Sequence, residues 1–241
     1  MSSDGEMGMA EKTSEIIRKA LSEGRTNLLE SEAKTICREY GIPTPEFKIA
    51  NVAPEAVEYA EKFGYPVVLK IVSPDILHKT DVGGVLVNLK SAREVEESFH
   101  NIVENAKRFK PDAKLAGVLV QKMAPESTEV IVGALKDSQF GQTLMFGLGG
   151  VFVEILKDVT FRIAPITELD AREMIREVKA YPILKGYRRQ PPADEQAIVK
   201  ILLNVSKLVM EFPQIDQMDL NPIMVYEKGA SVVDARIILS K

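Results

Sequence analysis

Residues 65–89 read YPVVLKIVSPDILHKTDVGGVLVNL. Two apolar, β-branched runs, Pro66–Val72 and Val85–Leu89, flank a polar loop. Valine and isoleucine at that density fit buried, pleated strands. Lys70 stands just before the loop, which carries His78, Lys79, Asp81 and the pair Gly83-Gly84. A cation beside a glycine-rich turn suits a phosphate, because glycine lets backbone N–H groups approach and the cation offsets charge. His78 is able to take a phosphoryl group as a covalent nucleophile. A hairpin whose loop faces water satisfies the same residues, and the stretch taken alone favours that plainer reading.

The bulk numbers narrow the classes. A chain of 241 residues can bury a real core, as one large domain or two small lobes. Net charge is −4 without a basic block, which argues against a nucleic-acid partner. No apolar run approaches the roughly 20 residues that span a bilayer, so no membrane partner is expected. The N-terminal MSSDGEMGMAEKTSE is acidic and has no apolar signal core, so a cytoplasmic location is expected and residues 1–10 are expected to be disordered. The single cysteine, Cys37, sits in an amphipathic helix pattern and reads as a buried, inert thiol. Two histidines and one cysteine far apart give no zinc spacing.

Local signals order the rest. Helices are expected over Lys12–Glu23 and Leu29–Tyr40, each stopped by a glycine, then a strand at Glu46–Ala50 and a helix opened by Pro54 and ended by Gly64. Ser91 with Glu94 predicts a capping box for a helix that buries Val95, Phe99, Ile102, Val103 and Ala106 and leaves His100 on its surface. The second half opens with strands at Ala116–Met123, Thr128–Lys136 and Thr143–Gly150, then Val151–Ile166 as two strands. Helices at Asp170–Ala180 and Asp194–Phe212 precede a closing hairpin, Gln214–Tyr226 and Ser231–Leu239. Strands in runs predict an α+β chain of mainly antiparallel sheet, with two lobes around a cleft.

Familiar nucleotide signatures are missing. There is no G-x-x-x-x-G-K-[ST], and GLGGVFVE places Phe152 where a dinucleotide fingerprint needs glycine. The closing hairpin is more informative. Asp219 and Asn221 are two apart and share a strand face, and Asp234 lies on the partner strand. Their oxygens suit Mg²⁺, which also takes phosphate oxygens. Solvent-facing polar residues explain the trio equally well. Gln121, Lys122 and Met123 end one strand and Glu129 begins the next. Such a crossing can offer backbone groups to an adenine and a carboxylate to a ribose, although an exposed link is the simpler account.

Taken together, Lys70, Gln121 with Glu129, Asn221-Pro222 and Asp234 resemble the ATP-grasp fold. More narrowly, LLESEAKTICREYGIPTP, VVLKIVSPDILHKTDVGGV, FGLGGVFVEILKDVTFRIAPI and MDLNPIMV…VVDARI, in that order, resemble the separate β subunits of ADP-forming acetyl-CoA (acyl-CoA) synthetases, relatives of succinyl-CoA synthetase. The resemblance runs from about Thr26 to the C-terminus. It implies a tail and helix over 1–25, a small lobe with the His78 loop over 26–115 and a large lobe over 116–241. It implies ATP or ADP as substrate and Mg²⁺ as cofactor. Lys70 would contact phosphates, Gln121, Lys122 and Met123 would line the adenine pocket, and Glu129 would hold the ribose. Asn221 and Asp234 would bind the metal, and Gly83, Gly84 and Arg162 would lie near phosphate. His78 would be transiently phosphorylated, with Asp219 steadying it. Pro74 and Gly83-Gly84 would act as hinges.

Nothing in the chain resembles a CoA-binding unit, so the resemblance also implies a CoA-binding α partner in an α2β2 assembly. Two rivals keep other classes open. A self-contained ligase joining a carboxylate to an amine would need no loop histidine. A non-catalytic nucleotide-sensing module would be expected to lose the metal or histidine residues, which are all present here.

Overall fold

The computed structural model describes residues 10–76, 78–150, 156–186 and 191–240. The tail expected to be disordered and the first of the two strands expected within Val151–Ile166 lie almost wholly outside them. The chain divides into two compact units, each with its own core.

The smaller unit comprises Leu29–Ser31 and Pro45–Ala124. It contains β1 (Phe47–Ala50), α3 (Ala53–Phe63), β2 (Val67–Val72), β3 (Val85–Leu89), α4 (Ala92–Phe109) and β4 (Gly117–Lys122). The strands form an antiparallel sheet in the order β1-β4-β2-β3. Every residue of β2 is buried, which explains its unbroken apolar reading apart from Lys70. The Ser91 hydroxyl accepts from the Glu94 N–H at 3.3 Å, and the Glu94 carboxylate reaches back to the Lys90 N–H at 2.8 Å, one residue beyond the expected box partner. Val95, Phe99, Ile102 and Ala106 are buried as their spacing required, and His100 is exposed.

The larger unit comprises the chain up to Leu28, Glu32–Thr44 and Pro125 onward. It holds α1 (Ala10–Ser22), most of α2 (Glu30–Glu39), α5 (Glu168–Glu177), α6 (Tyr181–Leu184) and α7 (Glu195–Glu211). Its strands are β5 (Thr128–Asp137), β6 (Gly141–Leu148), β7 (Val159–Ile163), β8 (Ile215–Val225), β9 (Ala230–Val232) and β10 (Ala235–Leu239). They pair antiparallel in the order β10-β8-β5-β6-β7, with β9 also on β8. Along β5, Val130, Val132 and Ala134 enter the core, whereas Glu129 and Leu135 are exposed. Ile198, Leu202, Val205 and Val209 give α7 its buried stripe in the same core.

These boundaries differ from a division at 115/116. β4 is claimed by the smaller unit because its whole length pairs with β2. The helical segments before Pro45 mostly belong to the larger unit, because Ile17, Ala20, Ala33, Ile36 and Cys37 fill its core. Cys37 is fully buried, and desolvation pushes its thiol up to about 12, as an inert thiol requires.

Candidate nucleotide and phosphoryl-transfer site

The residues singled out by sequence fall into two groups. Lys70, His78, Gly83, Gly84, Gln121, Lys122 and Met123 lie in the smaller unit, and Glu129, Arg162, Asp219, Asn221 and Asp234 lie in the larger.

In the smaller unit Lys70 sits on the central strand pair β4-β2, where burial would cost a lone ammonium several kcal/mol. Its Nζ donates to Glu30 Oε1 at 2.7 Å, with both side chains nearly buried at 6% and 4% exposure. The other Glu30 oxygen, Oε2, accepts from Lys79 Nζ. One carboxylate thus joins the strand lysine to the residue that follows His78. Sequence reasoning passed over Glu30, because a glutamate opening a helix already has a sufficient explanation in the helix dipole. The imidazole of His78 is exposed.

The loop is pinned on both sides of His78. Before it, the Ser73 hydroxyl donates to the Lys114 carbonyl and the Asp75 carboxylate accepts from the Lys114 N–H, both at 2.7 Å. After it, the Gly84 N–H donates to the Lys79 carbonyl at 2.7 Å and the Gly83 N–H to the Thr80 carbonyl at 3.1 Å. The two N–H groups expected to approach a phosphate are therefore engaged inside the loop. Gly83 turns the chain at φ 63°. Gly84 is glycine for space, since a Cβ there would lie 2.6 Å from Ile71 Cγ2 and 2.8 Å from the Lys79 carbonyl oxygen. That packing marks Gly84 as an anchor where a hinge was expected.

At the end of β4, Gln121 is fully buried, Lys122 is exposed and Met123 is half-buried. The Lys122 and Met123 N–H groups bond to the Glu46 and Pro66 carbonyls at 3.0 and 3.1 Å. Backbone pairing therefore fixes this exit from the sheet.

In the larger unit the sheet face opposite the α7 core forms a groove of about 510 Å³, lined by Gly133, Leu135, Phe140, Met145, Phe161, Asp219 and Asn221 among others. No sequence signal marks its apolar floor, because its residues come from several strands and converge only when the sheet forms. Asp219 pairs in register with Arg236 on β10 and with Gly133 on β5. Asn221 and Asp234 meet through the backbone, with the Asn221 N–H donating to the Asp234 carbonyl at 3.2 Å. Asp234 lies in the break between β9 and β10, a break absent from the continuous strand expected there. Its carboxylate accepts from the Ala235 N–H at 3.1 Å. Partial desolvation, with repulsion from Asp234 added, pushes Asp219 above the usual carboxylate range against the opposing pull of Arg236.

Glu129 is exposed where β5 begins, and the Gly149 N–H donates to its carbonyl at 2.8 Å. A Cβ on Gly149 would lie 2.8 Å from Glu129 Cβ, so this glycine keeps the approach open. Arg162 does not join Asp219 and Asn221. Strand alternation puts Thr160 and Arg162 on the helix side, where Thr160 bonds to the Met174 carbonyl at 3.0 Å and Arg162 to Glu177 at 2.5 Å. Arg162 therefore ties β7 to α5.

Among the described residues no three His, Cys, Asp or Glu side chains converge as metal ligands. The donor set of Asp234 and Asn221 with Asp219 nearby nevertheless fits Mg²⁺. That ion is held by one or two carboxylates plus phosphates and water, and the Asp219–Asp234 repulsion is the charge excess a cation offsets.

Comparison with known proteins places the chain. An ATP-grasp domain family model matches residues 19–239. The β subunit of acetate–CoA ligase (ADP-forming) I from Pyrococcus furiosus is 54% identical over 233 residues, 97% of this chain and 100% of that protein. Among solved structures, a dinucleotide-forming acetyl-coenzyme A synthetase 1 from Ca. Korarchaeum cryptofilum, in complex with coenzyme A, Ca-AMPCP and HgCl⁺, matches with TM-score 0.93 and 50% identity, covering 95% of this chain and 100% of its own. The same synthetase with coenzyme A and Mg-AMPPCP, its phosphohistidine segment pointing towards the nucleotide binding site, matches with TM-score 0.84 and 48% identity, again covering 95% and 100%.

Proposed function

We propose a mechanism on one premise: the chain belongs to the ATP-grasp family and, within it, to the β subunits of ADP-forming acetate–CoA ligases. The reaction is acyl-CoA + ADP + phosphate ⇌ carboxylic acid + CoA + ATP. This chain handles the nucleotide half, and a CoA-binding α subunit, in an α2β2 assembly, handles the acyl half. The observation that carries the reading is the exposed imidazole of His78 on a loop pinned at both ends.

On the α subunit phosphate displaces CoA from the acyl-CoA, and the acyl phosphate so formed gives up its phosphoryl group to a histidine there, releasing the carboxylic acid. His78 attacks that phosphohistidine through a neutral ring nitrogen; the new N–P bond forms as the partner's N–P bond breaks. A terminal oxygen of ADP then attacks the phosphorus on His78, giving ATP and the free imidazole. Asp219 accepts the second imidazole N–H and stabilises the cationic phosphohistidine, as the aspartate of a Ser-His-Asp triad does for its imidazolium. Lys70 offsets phosphate charge, Gln121, Lys122 and Met123 frame the adenine, and Glu129 accepts ribose hydroxyls. Asn221 and Asp234 hold Mg²⁺, which when bound supplies charge neutralisation on the phosphates. The remaining contribution is in-line positioning, worth several kcal/mol by itself.

Reconstitution tests this division of labour. The purified chain should bind Mg-ADP but form no ATP from acetyl-CoA until the α subunit is added. His78→Ala in the complex should lower ATP formation by about 10³-fold or more with ADP affinity kept within about two-fold. Turnover by the chain alone, or full activity of His78→Ala, contradicts the proposal and returns the self-contained ligase.

A further inference from the structure

Glu30 has a position that the phosphoryl relay leaves unused. Its side chain is 4% exposed and is engaged on both oxygens, Oε1 by Lys70 at 2.7 Å and Oε2 by Lys79. Lys70 is fixed on β2, whereas Lys79 lies in the loop, 18% exposed and adjacent to His78. The loop is also held at Gly83, whose carbonyl accepts from Asn105 Nδ2 at 3.3 Å, and at Asp75. Asp75 is held by the Lys114 backbone N–H, with Lys110 Nζ 3.7 Å away, and the Gly83 and Gly84 N–H groups bond within the loop. The Lys79–Glu30 pair is thus a side-chain tether next to His78, anchored to a carboxylate that the strand lysine shares.

Sharing has a consequence in charge. A carboxylate between two ammonium groups divides its attraction between them. When an anionic phosphate competes for Lys70, a larger share of the Glu30 attraction falls to Lys79, and the loop is held more firmly. We propose that Glu30 is a positioning residue that couples nucleotide binding at Lys70 to the hold on the His78 loop through Lys79. The coupling, though not the tether itself, rests on the assignment of Lys70 to nucleotide phosphates.

Hydrogen exchange of the full chain, read by mass spectrometry over residues 76–82, tests both parts, with Mg-ADP binding measured calorimetrically on the same samples. Without nucleotide, Glu30→Gln and Lys79→Gln should each speed exchange by about ten-fold, and the double variant should add little to either, because both remove one tether. Glu30→Asp, which keeps the charge, should restore part of the protection. Lys79→Gln leaves the Lys70–Glu30 pair in place and guards against a Glu30→Gln chain that fails to fold. With saturating Mg-ADP, the wild type should slow by about five-fold, while Lys79→Gln and Glu30→Gln should show no slowing at saturation. Unchanged exchange in both single variants without nucleotide overturns the tether. Equal ADP-induced slowing in wild type and Lys79→Gln overturns the coupling. A wild-type chain that binds no Mg-ADP overturns the proposed function and the coupling together, and the exchange without nucleotide still decides the tether.

Discussion

Asp219 is a carboxylate that folding disfavours in its charged form and to which the proposed relay gives a chemical role. Its proton affinity is raised in the folded chain, so the folded state holds that proton over a pH range where the unfolded chain has released it. Stability from this group therefore falls as pH rises from the ordinary carboxylate pKa through the raised one. Asp219→Asn should raise Tm at pH 7 by about 1–2 °C, the scale of a surface substitution, and the gain should vanish near pH 3, where both forms are neutral. The same variant should lower turnover of the complex by about 10²-fold, because an amide cannot stabilise an imidazolium. Calorimetry at the two pH values and initial rates check the two signs. Loss of stability at pH 7 would contradict the account. The place of Asp219 beside Asn221 in the groove was legible in sequence, because strand alternation puts the two on one face. Glu30 was not, since nothing local distinguishes a helix-opening glutamate from one that accepts from two lysines distant in sequence.

The loop between β2 and β3 carries the element-scale argument. Two adjacent glycines there serve different needs, which their sequence could not separate. Gly83 needs a left-handed backbone, and Gly84 needs the absence of a side chain against Ile71 and Lys79. Gly83→Ala should cost about 1 kcal/mol, the strain of a left-handed alanine, with Asn105 moving aside. Gly84→Ala meets backbone and should cost about 1–3 kcal/mol, as overpacking does. Urea unfolding of the two variants checks the order, and a larger cost at Gly83 would overturn the packing argument. Helix ends were the most legible elements, because Ser91 with Glu94 and the stop at Gly64 act within a few residues. The break at Asp234 was not, since it arises where two strand pairings on β8 meet. The pairing of Arg162 with Glu177 was also beyond local reading, because Glu177 is supplied by a helix that follows β7.

At the scale of the whole molecule, α+β character and antiparallel pairing followed from runs of alternating strands. The assignment of β4 to the smaller sheet did not, because chain order places it beside β5 while hydrogen bonding places it beside β2. No helix among the described residues is long and apolar enough to cross a membrane. The residues of the proposed relay come from both units of the chain. The most direct measurement is label transfer from γ-labelled ATP with Mg²⁺ to the purified chain, with and without the α subunit, in wild type and His78→Ala. The account predicts an acid-labile, base-stable phosphoryl group on His78 that is absent from His78→Ala and discharged by added ADP. Intact ATP binding with no label on His78 under either condition would contradict it.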